Sequence, residues 1–377
     1  MRSIPISEFC ETSSGGTPSR DRADEFFGGG IPWVKSGELR EYVITSTEET
    51  LTEAGVRSSS AKVVPTGSIL IAMYGATVGR MATLGVDACT NQAVCAILPD
   101  PKVADSRYVF HALRSKVPHF LRQARGGAQP NISQGLIRAT EIRLPSSLDE
   151  QRRVATILDK TDSLRRKRQE AIQLADEFLR AVFIDIFGRL DIASNPPVKL
   201  GDVVALDAPM VDPTNDEFAD LLHVGPDRIE KGNGQLLECE TARAEGLISK
   251  KFLFDERYVL YSKIRPVLKK CALAEFLGLC SADMYPVRPS GDEMTREFIW
   301  GLLLSDAFDR YVSTLPDRAN IPKLNRSELN AFQFRLPSIK LQRKYSAIVQ
   351  RTMALKRRHS TFLTKANSLP GSLGFFN

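Results

Sequence analysis

The chain has 377 residues, of which 42% are apolar and 25% charged, the make-up of a globular protein large enough for more than one core. No run is long and apolar enough to span a bilayer, the most apolar stretch being only Phe298 to Leu304, and the opening MRSIPISEF lacks the apolar core of a signal peptide, so no membrane partner and a cytoplasmic location are expected. The net charge of +6 is modest, the six cysteines form no CxxC pair and read as buried free thiols, and four scattered histidines suggest no metal site.

Residues 1–148 are expected to form a first globular unit of short strands. Ser14-Gly15-Gly16-Thr17-Pro18-Ser19 is a turn, and Gly28-Gly29-Gly30 is a loop running into a strand that directs Trp33 to the core. Strands are predicted from Ile69 to Tyr74, Met81 to Leu84, Gln92 to Leu98 and Glu141 to Leu144. Ser106 to Gln123 is predicted as a helix that Pro118 bends or breaks. A polar segment runs from Arg125 to Gln134.

Residues 149–188 hold no glycine or proline before Gly188 and read as one long helix of roughly 55 Å. Ile157, Leu164, Ala171 and Phe178 fall at heptad spacing, with Leu158, Ile172, Leu179 and Ile186 beside them, a broad apolar stripe that calls for a partner helix. A linker with Asn195-Pro196-Pro197 opens a second unit, residues 189–338. Its strands are predicted from Leu221 to Val224, Tyr258 to Tyr261, Lys270 to Leu273 and Met284 to Val287, and a helix from about Glu297 to Leu315. Residues 339–369 form the second long helix, with Leu341, Ile348, Leu355 and Phe362 at heptad spacing.

The entry to both helices is written twice. Arg143-Leu144-Pro145-Ser146 precedes Glu150-Gln151-Arg152, and Arg335-Leu336-Pro337-Ser338 precedes Leu341-Gln342-Arg343. The chain is therefore two copies of one plan, a globular unit followed by a long helix. The expected fold is α+β: two mixed α/β domains separated by two long antiparallel coiled-coil helices, with a pseudo-twofold internal repeat. The copies differ in charge. No acid follows Glu328, and eight basic residues lie from Lys340 to Lys365, so the second helix suits a phosphate backbone or an acidic partner.

Catalytic signatures are lacking. Asn195-Pro196-Pro197-Val198 has valine where a base-stacking aromatic would stand in an amino-methyltransferase loop, and it lies in a linker. Phe27-Gly28-Gly29-Gly30 is no dinucleotide fingerprint, no Walker A sequence is present, and no nucleophile–base pair can be argued from the histidines. A non-catalytic binding protein with no cofactor of its own is expected. Two related units set apart by helices suit a split duplex site, in which protein spacing sets half-site spacing.

Several segments resemble the specificity subunit of type I restriction–modification systems. In the first half they are Ser14 to Ser19, Ile31-Pro32-Trp33-Val34-Lys35-Ser36-Gly37, Gly67 to Leu70 with Gly75 to Gly79, Thr90-Asn91-Gln92, Asn131-Ile132-Ser133, and Leu144-Pro145 with Glu150-Gln151. In the second half they are His223-Val224-Gly225 with Ile229-Glu230, Val259 to Pro266, Cys280-Ser281 through Tyr285, and Leu336-Pro337 with Gln342. The second half departs by carrying Asp207-Ala208-Pro209-Met210 in place of the Gly-Gly-Thr-Pro loop, which suggests that the halves read different sequences. The resemblance implies two target-recognition domains, each reading half of a bipartite asymmetric site in double-stranded DNA. It also implies helices that act as a ruler and dock two adenine-N6 methylation subunits, which carry S-adenosylmethionine. ATP-dependent restriction subunits join where present.

Reading bases and holding phosphates requires Arg, Lys, Asn, Gln, Ser and Thr on loops. The DNA-binding candidates in the first unit are Thr17, Lys35, Ser36, Arg40, Tyr74, Thr77, Arg80, Arg125, Gln129, Asn131 and Ser133. In the second they are Lys263, Arg265, Lys269, Lys270, Arg318, Asn320, Lys323 and Asn325. The partner-binding candidates are Arg152, Arg153, Ile157, Arg343 and Lys344. The alternative reading is an orphan DNA-binding scaffold or decoy without a methylase. A long-helix assembly protein is disfavoured by the polar, Gly-rich loops.

Overall fold

The computed structural model describes residues 2–40, 43–123, 131–188, 196–316 and 322–372, with side chains as far as residue 363. The contacts divide the chain into two compact units, Met1–Lys167 with Phe362–Asn377, and Arg168–Thr361. The division falls inside each long helix, so neither helix is a separate segment.

In the first unit a five-stranded sheet has the order Cys10–Ser14, Val94–Pro99, Ile69–Ala72, Met81–Leu84 and Val43–Ile44. A three-stranded sheet of Glu49–Leu51, Phe27–Val34 and Cys89–Thr90 lies beside it in the topology, and Arg2–Pro5 pairs antiparallel with Glu141–Leu144. The Gly28 to Gly30 loop expected ahead of a strand is itself strand, bulged between Phe27 and Ile31. Trp33 is buried, its indole N–H donating to the Gly16 carbonyl at 3.0 Å. Helix Ser106–Gln123 runs through Pro118 without a break, losing one backbone donor but not its continuity.

The second unit repeats the plan. One four-stranded sheet has the order Val204–Ala205, Met284–Pro289, Val259–Ser262 and Cys271–Leu273; the other has Met210–Val211, Lys251–Phe254, Gly278–Cys280 and His223–Val224. Pro197–Lys199 pairs antiparallel with Gln333–Arg335. A constant shift of 190 residues carries the pair Val34 and Thr90 onto Val224 and Cys280, and Ile71 and Met81 onto Tyr261 and Cys271. The single helix predicted after Glu297 is two, Arg296–Leu304 and Asp306–Ser313, because Ser305 leaves helical geometry and its hydroxyl accepts from the Phe308 amide.

The first long helix is Leu148–Phe187 and the second Ile339–Ser372. Each enters its unit through a fully buried glutamine. Gln151 donates from Nε2 to the carbonyls of Val103 (3.1 Å) and Pro145 (2.8 Å) and accepts the Asp105 amide at 2.8 Å. Gln342 does the same with Glu293 (3.0 Å), Pro337 (2.8 Å) and the Thr295 amide (2.9 Å). Within the second unit the helices run antiparallel, as Phe187 and Phe183 meet Tyr345 while Asp176 meets Lys356.

The heptad row Ile157, Leu164 and Phe178 does not form the buried seam. These side chains are 43%, 47% and 50% exposed. The buried residues belong to the adjoining row, Val154, Ala155, Leu158, Ile172, Asp176, Leu179 and Phe187. On the second helix the buried row is Gln342, Tyr345, Val349, Thr352 and Lys356, while Leu355 is exposed. Polar residues in the seam hide it from a search for apolar periodicity.

The first unit holds its helix with charge as well. His111 Nε2 lies 2.8 Å from Asp159, Arg114 reaches Asp162 at 2.7 Å, and Arg107 reaches Asp159 at 3.2 Å. The second unit pairs Arg357 with Glu275 and adds aromatic rings, with Phe298 against Phe183 and Phe187 at 5.9 and 4.8 Å between centroids. All six cysteines are free; Cys89, Cys95, Cys271 and Cys280 are buried.

Candidate nucleic-acid interface

Backbone bonds gather the candidate loops of the first unit along one edge. The Gly16 amide donates to Thr90 (2.9 Å), Asn91 to Val34 (3.0 Å), Met73 to Ala93 (2.8 Å) and Ile132 to Met73 (2.7 Å). Tyr74 forms an isolated bridge with Asn131. These bonds bring together Thr17, Lys35, Ser36, Tyr74, Thr77, Arg80, Asn131 and Ser133. Asn131 and Ser133 lead into helix Gln134–Ala139, and the others sit close to strand ends.

The second unit is stitched in the same way. Ser281 donates to Val224 (3.0 Å), Lys263 to Asp283 (3.1 Å) and Leu324 to Lys263 (2.9 Å), and Ile264 bridges Lys323. Lys263, Arg265, Lys269, Lys270, Lys323 and Asn325 therefore share one edge. Arg125, Gln129, Arg318 and Asn320 lie outside the described residues.

Several candidates already have work within the protein. Lys35 is clamped by Glu48 (2.8 Å) and Glu49 (3.3 Å), and Arg20 beside Glu49 holds its carboxyl down at about 2. Thr17 donates to Gln92. Burial pushes the half-buried Tyr74 phenol up. Ser133 and Asn325 are helix caps, accepting the amides of Leu136 (3.1 Å) and Glu328 (2.8 Å). Lys263 donates to the Ala282 carbonyl (2.6 Å), Lys270 to that of Pro226 (2.7 Å), and Lys269 lies between Asp306 (3.3 Å) and Asp309 (3.4 Å). Lys323 is exposed and 3.9 Å from Asp283. Arg40, Arg80, Asn131 and Arg265 are exposed.

Sequence reasoning passed over Gln92, exposed on the same edge, although Thr90-Asn91-Gln92 had marked it. It also passed over Asp283, whose charge offsets the lysines of the second edge. Asp283 belongs to no residue class sought for DNA contact, whereas Gln92 does and was readable from the sequence.

The partner candidates lie on the helices. Arg152 is half-exposed and pairs with Asp149 at 3.2 Å; Arg153, Arg343 and Lys344 are exposed, as is Ile157. Their setting was missed. Arg153, Lys160 and Lys167 form an exposed basic heptad row beside Ile157 and Leu164. Lys344, Arg351 and Arg358 form its counterpart beside Ile348 and Leu355. Among the described residues no cluster of His, Cys, Asp and Glu could hold a metal ion, and no helix is long and apolar enough to cross a membrane.

A family model described as a type I restriction modification DNA specificity domain matches residues 1–174. The specificity subunit of the Escherichia coli type I restriction enzyme EcoDI is 22% identical over 313 residues, spanning 73% of this chain and 69% of the relative. That of MjaIX from Methanocaldococcus jannaschii is 31% identical over 189 residues, spanning 48% of this chain and 43% of the relative. The crystal structure of a type I restriction–modification system S subunit from M. genitalium shares the fold, with a TM-score of 0.63 at 14% identity over 99% of this chain and 94% of that one. Residues 1–174 thus match the type I restriction modification DNA specificity domain, and the duplicated unit-and-helix plan of the chain is similar in fold to a type I restriction–modification S subunit.

Proposed function

We propose that the chain is the DNA sequence-recognition subunit of a type I restriction–modification complex, each unit reading one half of a bipartite asymmetric site. The observation that carries this reading is the pair of loop edges. They are built on the same backbone bonds and filled with different side chains, as two readers of different sequences require. The chain contributes recognition and no chemistry. Two methylation subunits, one on each long helix, bring S-adenosylmethionine to adenine N6. The long helices set the gap between the half-sites. The repeated basic and apolar rows on both helices support two like partners, whereas an orphan scaffold would leave those rows without an occupant.

The test is modified-base sequencing of DNA from cells expressing the chain with its neighbouring methylation subunit. A split N6-methyladenine motif that disappears when the chain is omitted is the expected result. A soluble methylase, a stable chain and no new motif would support the orphan scaffold instead.

A further inference from the structure

The shared register exposes one difference between the two edges. In the turn after Ile69–Ala72, two left-handed backbone positions are filled by Gly75 (φ +80°) and Gly79 (φ +81°). The corresponding turn after Val259–Ser262 places Arg265 (φ +48°) and Lys269 (φ +50°) there. Among the described residues these are the only non-glycine residues with positive φ. An L side chain in that region crowds its Cβ against the carbonyl, so both residues are kept against the preference of the backbone.

For Lys269 the structure supplies a reason in its ion pairs with Asp306 and Asp309. For Arg265 it supplies none. The side chain is exposed, and its guanidinium has no partner among the described residues. Its root is nevertheless fixed. The Arg265 amide donates to the Pro322 carbonyl at 2.9 Å, and its carbonyl accepts the Leu268 amide at 2.9 Å across the turn Pro266–Leu268. A charged, outward side chain on a rigid and disfavoured backbone is the arrangement expected of a residue held ready for a ligand.

We propose that Arg265 is a specificity-determining residue of the second unit, donating its forked N–H groups to O6 and N7 of a guanine in that half-site. This rests on the DNA-reading role proposed above. A phosphate contact needs only a flexible surface cation, and the exposed Lys323 on the same edge already offers that. A bidentate base contact needs a fixed direction, which the turn gives. Gly75, at the same place in the first unit, cannot make the contact, so one loop geometry serves two different readings.

The experiment compares the whole chain with its Arg265→Ala and Arg265→Gly variants, each expressed with the methylation subunit, by modified-base sequencing, and melts the purified chains in parallel. The wild type is expected to give a split motif with a guanine in one half. Both variants should lose the preference at that guanine by roughly tenfold to a hundredfold, with the other half unchanged. Arg265→Gly should melt no lower than the wild type, because glycine adopts the same φ without crowding. An unchanged motif would overturn the inference, as would methylation weakened evenly at all sites. So would a glycine variant that melts lower, which would mark Arg265 as structural. A wild type with no split motif would instead fail the functional reading, and this inference with it.

Discussion

Gln151 and Gln342 each satisfy three buried backbone groups that the entry to a long helix would otherwise strand. Each orphaned group costs about 1–3 kcal/mol, so Gln342→Ala should lower stability by about 2–4 kcal/mol, measured by urea denaturation. A loss under about 0.5 kcal/mol would show that water replaces the side chain without penalty. His111 makes a second residue-scale prediction. Burial pushes its imidazole below the usual value, against the pull of Asp159, while Asp162 and Arg114 also face the ring. Burial also raises the Asp162 carboxyl, but the Arg114 guanidinium outweighs it and holds that carboxyl below its usual range. A histidine depressed on folding contributes stability above its unfolded pKa of about 6.5, and that stability is lost as pH falls below it. Denaturation midpoints from about pH 7.5 down to about pH 5 should therefore fall, and His111→Gln should flatten the slope. The sequence made the glutamines visible by repetition, since Leu-Pro precedes both. It hid His111, because its acidic neighbours lie about fifty residues away on another helix.

At the scale of the helix, the buried Asp176–Lys356 pair shows why apolar spacing alone gives only part of the seam. Their side chains are 10% and 7% exposed, within a seam that also takes Thr352 and Gln342. Such a pair adds little net stability but disfavours other registers of two sliding helices. Asp176→Ala alone should cost about 3–5 kcal/mol by leaving a buried ammonium unpaired. Replacing both residues with Leu and Met should recover most of that loss in a double-mutant cycle on the full chain. The outward row makes the opposite prediction. Ile157→Glu with Leu164→Glu should leave stability within about 1 kcal/mol, because neither side chain is in the core. The same variant should weaken co-purification of the methylation subunit; intact co-purification would remove this face from the docking surface. Apolar periodicity located both helices and, in Leu158, Ile172 and Leu179, part of the first one's buried face; it missed the rest because an outward apolar row and inward polar residues blur the usual signal.

For the chain as a whole, the two edges are built within separate units, so their readings should be independent. Arg80→Ala should alter only one half of the methylated motif and Arg265→Ala only the other, with the double variant showing both changes and no further one. A substitution in one unit that rewrites both halves would contradict this independence. The duplicated plan was legible because Leu-Pro-Ser, followed by Gln-Arg, recurs at the entry to both long helices. The division of labour among the cations was not. Lys35, Lys263, Lys269 and Lys270 look like free ligands for phosphate until the acids and carbonyls that hold them are in view.

The buried cysteines give each unit its own clock. Burial pushes the Cys89 thiol up to about 11 and Cys95 up to about 12 in the first unit, and raises Cys271 and Cys280 in the second. A thiol that is both enclosed and protonated does not alkylate, so labelling at these four positions waits on opening of the sheet that holds each one. Pulsed alkylation read by peptide mass would thus time the loosening of the two units separately in the unmodified chain. Bound DNA that grips only one unit would slow one pair of thiols and leave the other pair at its free rate.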